Sequence, residues 1–259
     1  MDLGIKGRKA IVCASSKGLG RGCALALAEA GVELVVNGRN EKAVAATAAE
    51  LADRFQVKVT PVAADVSTKP GQDALLAACP EPDILVNNNA GPPRRDFRDL
   101  GRQDMIDGVI MNMITPIELI QRTLDGMAER GFGRIVNITS MTVKTPLVGL
   151  DLSSGARAGL TAFLAGVCRT VADRNVTVNN LLPGMFDTDR LRSGFPEQAR
   201  LQRKTPEEIA QERAREVPAG RFGDPEEFGR ACAFLCSTHA GYITGQNLLI
   251  DGGLFKAAF

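Results

Sequence analysis

Short apolar runs alternate with longer amphipathic stretches along the whole chain. Residues 10–14 (AIVCA) read as a buried strand, followed by a glycine-bearing turn at residues 15–20 and an Ala/Leu-rich helix. Gly31 stands where a helix C-terminal cap is expected. Further strands are expected at 32–37, 57–63, 83–87, 134–139, 176–182 and 247–250, seven in all. Between them the periodicity predicts helices over 41–55 (capped by Asn40), 72–78, about 103–130 and about 152–174. Pro116 is expected to break or kink the 103–130 stretch. Residues 187–217 are polar and helical, and Thr205-Pro206-Glu207-Glu208 has the form of a capping box. Asp224-Pro225-Glu226-Glu227 opens a further helix in the same way. Strand–helix alternation predicts an α/β fold: a doubly wound, seven-stranded parallel sheet with helices on both faces. The ligand crevice of such a sheet lies at the carboxyl ends of its strands. One domain over 1–259 is expected, with 187–217 as a helical lid over the substrate.

The turn after the first strand is the first candidate for chemistry. Ser15, Ser16, Lys17, Gly18, Leu19 and Gly20 lead into a helix, so unpaired backbone N–H groups and the helix dipole favour a phosphate there. Gly18 and Gly20 permit close approach of backbone to ligand. Arg39 follows the second strand at Asn37-Gly38-Arg39, a place where an acid suits ribose hydroxyls and an arginine suits a 2′-phosphate. Lys17 adds a second cation. Both could be solvated surface charges; as ligands they favour NADP(H) over NAD(H).

Composition removes several function classes. The 259 residues include 44% hydrophobic and 24% charged, enough for a sizeable core. A net charge of +1, with charges interspersed, argues against nucleic acid as a partner. No apolar run suits a bilayer span, and MDLGIKGRKA lacks a signal-peptide pattern, so no membrane partner is expected. The six cysteines fit no zinc or disulfide spacing and are expected as reduced core residues of a cytoplasmic protein, with no metal site. Any scheme needing a histidine would rest on His239, the only one.

Several motifs then recur in order, each just after a strand. The turn spacing resembles T-G-x-x-x-G-x-G, with Cys13 for the Thr and Ala14 for the first Gly. Asp65-Val66, Asn88-Asn89-Ala90-Gly91, Asn112, Ser140, Pro183-Gly184 with Thr188, and Asp251-Gly252-Gly253 follow. On this set the chain resembles the short-chain dehydrogenase/reductase family over nearly its whole length, and 3-oxoacyl reductases in general. The resemblance implies a Rossmann-like fold, a nicotinamide cofactor and a homotetramer. It implies that Asp65 and Val66 flank the adenine, that Asn89, Ala90 and Gly91 line the cofactor, and that Pro183, Gly184 and Thr188 hold the nicotinamide end.

The family's catalytic Asn, Ser, Tyr and Lys are met only in part. Asn112 and Ser140 are in register. Ser153 stands where the Tyr is expected and Arg157 where the Lys is expected, and the only tyrosine is Tyr242. A serine hydroxyl is a far weaker acid than a phenol of pKa about 10. Arg157 stays protonated, yet it can bond ribose hydroxyls and stabilise an oxyanion. Spaced i, i+4, Ser153 and Arg157 share one helix face. Three accounts are open: Ser140, Ser153 and a water carry the proton beside Arg157; Asp151 or Lys144 substitutes; or redox chemistry is lost and the chain is a catalytically weak or non-redox nucleotide-binding protein. The first makes it an NADP(H)-dependent oxidoreductase acting on a small-molecule carbonyl or alcohol. Basic residues at Arg94, Arg95, Arg98, Arg190, Arg192, Arg200 and Arg203 are either solvated faces or the seat of an anionic substrate.

Overall fold

Strands form where β-branched and aliphatic residues run uninterrupted: β1 (Lys9–Val12), β2 (Glu33–Gly38), β3 (Val59–Ala63), β4 (Ile84–Asn87), β5 (Gly133–Ile138), β6 (Val176–Pro183) and β7 (Asn247–Ile250). A computed structural model describes residues 1–257 and places these strands, all parallel, in one sheet of order β3-β2-β1-β4-β5-β6-β7. Side chains alternate between two cores, as the pleat requires. Ala10, Val12, Leu34, Val36, Ile84 and Val86 enter one, while Ile11, Val35, Leu85 and Ile135 enter the other.

The helices are α1 (Gly18–Glu29), α2 (Glu41–Phe55), α3 (Lys69–Ala78), α4 (Arg102–Val109), α5 (Thr115–Glu129), α6 (Asp151–Val167), α7 (Asp189–Arg192), α8 (Phe195–Gln202), α9 (Pro206–Glu216) and α10 (Pro225–Cys236). The expected caps form: Asn40 Oδ1 accepts from Ala43 N at 3.0 Å, and Thr205 and Asp224 both close capping boxes. Helices α1 and α10 touch backbone to backbone. A Cβ on Gly22 would fall 2.1 Å from Pro225 O, and one on Gly229 would fall 2.0 Å from Gly22 O.

Two long helices differ from the periodicity. The 103–130 stretch is α4, a π turn at Ile110–Ile114, and α5. The break expected at Pro116 is this π turn: Ile114 and Thr115 keep helical dihedrals, so the proline's missing N–H falls inside a continuing helix, and the turn just before it widens. The 152–174 stretch is helical only to Val167. Cys168 and Val171 are buried, so the chain tightens into 3₁₀ turns that bring it back to the sheet, and Asn175 ends them in the left-handed region. The 187–217 stretch divides into α7, α8 and α9, whose Phe195, Ala199 and Ile209 make a small core of their own.

A row of amides crosses the sheet near the strand ends. Asn87 Nδ2 donates to Asn137 Oδ1 (2.9 Å), Asn137 Nδ2 to Asn180 Oδ1 (3.0 Å), and Asn180 Nδ2 to Asn247 Oδ1 (2.8 Å). The four residues are register partners on β4, β5, β6 and β7. Replacing Asn137 by Ala should cost about 2–4 kcal/mol in urea unfolding, because two buried amides lose their partner. Asn247→Ala, at the exposed end, should cost well under half as much. Equal costs would show that the row does not act as a connected unit.

Candidate functional site

The loop after β1 is built for close approach. Ala14 has φ +45°, a left-handed conformation that a side chain disfavours. Ser15 is fully buried; its hydroxyl donates to Val12 O (2.7 Å) and accepts from Asn37 N (3.0 Å). Its role is therefore to brace the turn. Asn37 Oδ1 accepts from Ala14 N at 3.1 Å, which ties β2 to the same turn. A Cβ on Gly20 would lie 2.3 Å from Ala14 O, so only glycine lets α1 begin here. Leu19 packs into the first core. Helix α1 has neither a side-chain cap nor an acid in its first turn, so its N–H groups remain available to an anion. Lys17 and Arg39 are exposed beside it; Lys17 Nζ lies 3.5 Å from Asp189 Oδ2. Ser16 lies against Gly38, whose Cβ would come within 2.8 Å of Ser16 Oγ.

The other loops gather around that turn. Asp65 Oδ1 accepts from Ser67 N (2.9 Å), and Val66 beside it is buried. Asn88 Nδ2 donates to Ala14 O (3.2 Å), and Asn89 Nδ2 donates to Ser67 Oγ (2.7 Å) and Met111 O (3.3 Å). Asn89 Oδ1 accepts from Ala90 N, fixing the approach to Gly91. Gly184 follows Pro183 so closely against Asp251 that a Cβ would sit 2.6 Å from Asp251 Cβ. Thr188 caps α7, and its methyl lies 3.6 Å from where a Cβ on Gly18 would be. The loops after β1, β3, β4 and β6 therefore border one crevice.

The candidate catalytic residues stand at its inner wall. Asn112 occupies the π turn, a wider turn of the kind that often marks a site. Its Nδ2 lies 3.4 Å from Ala90 O. Among the described residues its Oδ1, with Asn87 Oδ1 and Thr115 Oγ1, has no hydrogen-bond partner. All three residues line a cavity of about 20 Å³ that also reaches Arg157, room for roughly one bridging water. Ser140 Oγ accepts from Thr142 N (3.1 Å) and Thr142 Oγ1 (2.9 Å). Arg157, 9% exposed, donates from Nε to Ser153 Oγ (3.2 Å) and from Nη1 to Ile138 O (2.7 Å). Burial first, and the charge of Arg190 second, push its pKa down to about 10, so it remains a cation at neutral pH.

Ser153 and Arg157 thus meet as their spacing predicts. Among the described residues no hydrogen bond joins Ser140 to either. The alternative proton carriers face elsewhere: Asp151 accepts from Gly149 N (3.0 Å), and Lys144 is exposed over the Phe255 ring. His239 is exposed, with Nε2 2.7 Å from Asp2 O. All six cysteines are buried and unpaired, and no metal-ligand cluster occurs among the described residues. Thr142 was not foreseen; a hydroxyl two residues beyond Ser140 was the available signal. Much of the expected basic patch is neutralised locally, with Arg95 on Asp104, Arg98 on Asp96 and Arg192 on Asp187. Arg190 instead crosses to the loop after β4, where it donates to Gly91 O and Pro92 O, both at 3.1 Å.

Residues 13–255 match the family model described as enoyl-(acyl carrier protein) reductase. The chain is 32% identical over 259 residues to the 3-oxoacyl-acyl-carrier-protein reductase FabG of Aquifex aeolicus, covering 98% of this chain and 100% of that one. It is 31% identical over 256 residues to the NADPH-dependent reductase BacG of Bacillus subtilis, covering 96% and 98%. The crystal structure of L-sorbose reductase from Gluconobacter frateurii, complexed with NADPH and L-sorbose, superposes with a TM-score of 0.94 at 29% identity over 99% of this chain and 100% of that one.

Ala14 provides a test of the turn itself. Ala14→Gly should relieve the left-handed strain by about 1–2 kcal/mol while adding about 0.4–1 kcal/mol of unfolded-chain entropy. A net gain of roughly 0.5–1 kcal/mol in chemical denaturation is expected. A loss of stability would mean that the Ala14 methyl is better accommodated than its φ implies.

Proposed function

The chain belongs to the short-chain dehydrogenase/reductase family, and we propose that it is an NADP(H)-dependent oxidoreductase that reduces a carbonyl, or oxidises an alcohol, with Ser153 and Arg157 in the places of the family's usual Tyr and Lys. The observation that carries this reading is the bond from Arg157 Nε to Ser153 Oγ beside the crevice. We also read 1–259 as a single cofactor-binding domain with α7–α9 as its lid.

The turn fits the cofactor: the open N–H groups of α1 and the close approach at Gly20 suit its diphosphate. Lys17 and Arg39 would pair with a 2′-phosphate. Asp65 and Val66 would flank the adenine, and Asn89, Ala90, Gly91, Pro183, Gly184 and Thr188 the nicotinamide half. When bound, NADPH supplies a hydride to the carbonyl carbon.

The chain's own groups then manage charge and proton. Ser140 and Ser153 donate to the substrate oxygen and hold it against the site. The Arg157 N–H bonds to Ser153 Oγ, so it stabilises negative charge building there and makes the serine O–H a better donor. The bond to Ile138 O fixes the guanidinium plane. Asn112 and Thr115 line the small cavity that reaches Arg157, and solvent in the crevice returns a proton to Ser153.

Hydride transfer from NADPH to a ketone panel tests this. Arg157→Ala should lower kcat by roughly 10²–10³-fold and weaken NADPH binding, while Ser153→Ala should cost less because water can replace a hydroxyl. NADPH should bind more tightly than NADH, and removing Lys17 and Arg39 together should narrow that gap. Wild-type rates in Arg157→Ala would refute the charge role. A wild type inert to every ketone, beside an active Ser153→Tyr/Arg157→Lys double variant, would replace this reading with a non-redox nucleotide binder.

We also infer a homotetramer, because Met105, Ile106, Ile114 and Phe163 on α4, the π turn and α6 are exposed apolar side chains. Light scattering at micromolar concentration should give four times the chain mass; a monomer would refute it.

A further inference from the structure

We propose that Thr142 is a positioning residue: it holds Ser140 as a hydrogen-bond donor only, with its single proton turned into the crevice, and so leaves Ser153 as the hydroxyl that gives up and regains a proton. The proposal rests on the reductase reading and divides the labour between the two serines of that site.

The backbone fixes both residues of the pair. Just before Ser140, Thr139 is tied to β6, with its N and its Oγ1 both donating to Leu181 O (2.9 and 3.3 Å). Just after it, a 3₁₀ turn over Met141–Val143 is closed by Val143 N donating to Ser140 O (3.1 Å) and by Lys144 N and Thr145 N donating to Met141 O (both 2.9 Å). Thr142 is buried, and its branched Cβ limits its rotamers. Ser140 is half-buried, at the wall of the crevice.

Burial decides which hydroxyl donates. Ser140 Oγ and Thr142 Oγ1 lie 2.9 Å apart, and a hydroxyl has one proton and two lone pairs. Among the described residues Thr142 Oγ1 makes no other hydrogen bond. If Ser140 donated to it, the Thr142 proton would be left without an acceptor in a dry place. Thr142 therefore donates to Ser140, whose own proton has the crevice to point into. Ser140 Oγ also accepts from Thr142 N at 3.1 Å, so both of its lone pairs are taken. An oxygen in that state can give a hydrogen bond and cannot receive one. It suits a carbonyl or alkoxide oxygen, which accepts, and it cannot take the proton of an alcohol.

Ser153 differs. Its Oγ accepts one bond, from Arg157 Nε, which leaves one lone pair open. It can release its proton to the substrate oxygen as hydride reaches the carbonyl carbon, and then take another from solvent. Ser140 keeps its proton throughout. Its bond strengthens as negative charge builds on the substrate oxygen, and the donation from Thr142 polarises it further.

The direction of the Thr142–Ser140 bond can be observed without any reaction. Neutron diffraction from deuterium-exchanged crystals of the full chain should place the Thr142 deuteron on the line to Ser140 Oγ and the Ser140 deuteron facing the crevice. A Ser140 deuteron on the line to Thr142 Oγ1 would overturn the proposal. Kinetics with NADPH and methyl acetoacetate test the consequence. Thr142→Val, which removes the hydroxyl and keeps the shape, should lower kcat about three- to tenfold with KM changed less than about twofold. Thr142→Ser should recover most of that loss. In a Ser140→Ala background the same Thr142→Val change should cost less than about twofold, because Thr142 acts through Ser140. A loss confined to KM, or one of equal size in the Ser140→Ala background, would make Thr142 a structural residue and overturn the proposal. A wild type that leaves the ketone unreduced, with the deuterons placed as expected, would count against the reductase reading and leave the donor assignment standing.

Discussion

The hydrogen-bonded row Asn87–Asn137–Asn180–Asn247 is the constraint on which the remaining geometry depends. Strands β4, β5 and β6 are buried on both faces, so their apolar pattern resists slippage poorly. A slip of two residues would keep every side chain on its own face. It would, however, separate each amide from its partner in a dry interior, at a cost of about 1–3 kcal/mol per orphaned group. The row therefore pins the relative heights of four strands. On the other side of β1, Asn37 does similar work through Ala14 N, Val62 O and Ala64 O.

Pinned strands release their loops at one level, and the crevice follows from that. Asn88 and Asn89 leave β4 directly beyond Asn87 and bond to the loops after β1 and β3. Ile138 is the residue beyond Asn137, and its carbonyl receives Arg157. Ser140 lies two residues further on, at the start of a 3₁₀ turn. Pro183 and Gly184 come at the same depth on β6. A shift of β5 would thus move Ile138 O, then Arg157, then Ser153. The pairing of sheet amides and the chemistry proposed for the crevice are links of a single chain of contacts.

Much of this was legible in the sequence, for local reasons. Strands announced themselves as short aliphatic runs, and Asn40, Thr205 and Asp224 announced helix starts by cap chemistry. The i, i+4 spacing of Ser153 and Arg157 was enough to predict their contact. What stayed hidden depends on distant partners. Pro116 marked a break in the 103–130 stretch, but not that the break takes the form of a π turn with one inserted residue. The end of α6 was set by burial of Cys168 and Val171 against the sheet, which periodicity along a helix does not report. Arg190 read as one of several basic residues. Only the fold distinguishes it from Arg192, which finds Asp187 nearby, whereas Arg190 crosses the crevice.

Two departures from local preference lie at the crevice. Ala14 holds a left-handed backbone there, and Arg157 holds a charge out of water. The second departure has a definite sign. The guanidinium is pushed from its ordinary value down to about 10 in the folded chain. Below about pH 10 it is charged whether the chain is folded or not, so the penalty for burying it is constant there. Stability would rise with pH only between those two values, where the folded chain gives up the proton first. The shift corresponds to a net penalty on the order of 3 kcal/mol across the neutral range. An aliphatic side chain at position 157 would carry no such penalty, but it would take the donor away from Ile138 O and Ser153 Oγ. The guanidinium's position beside Ser153 gives its charge something to act on, and there an aliphatic group could not replace it.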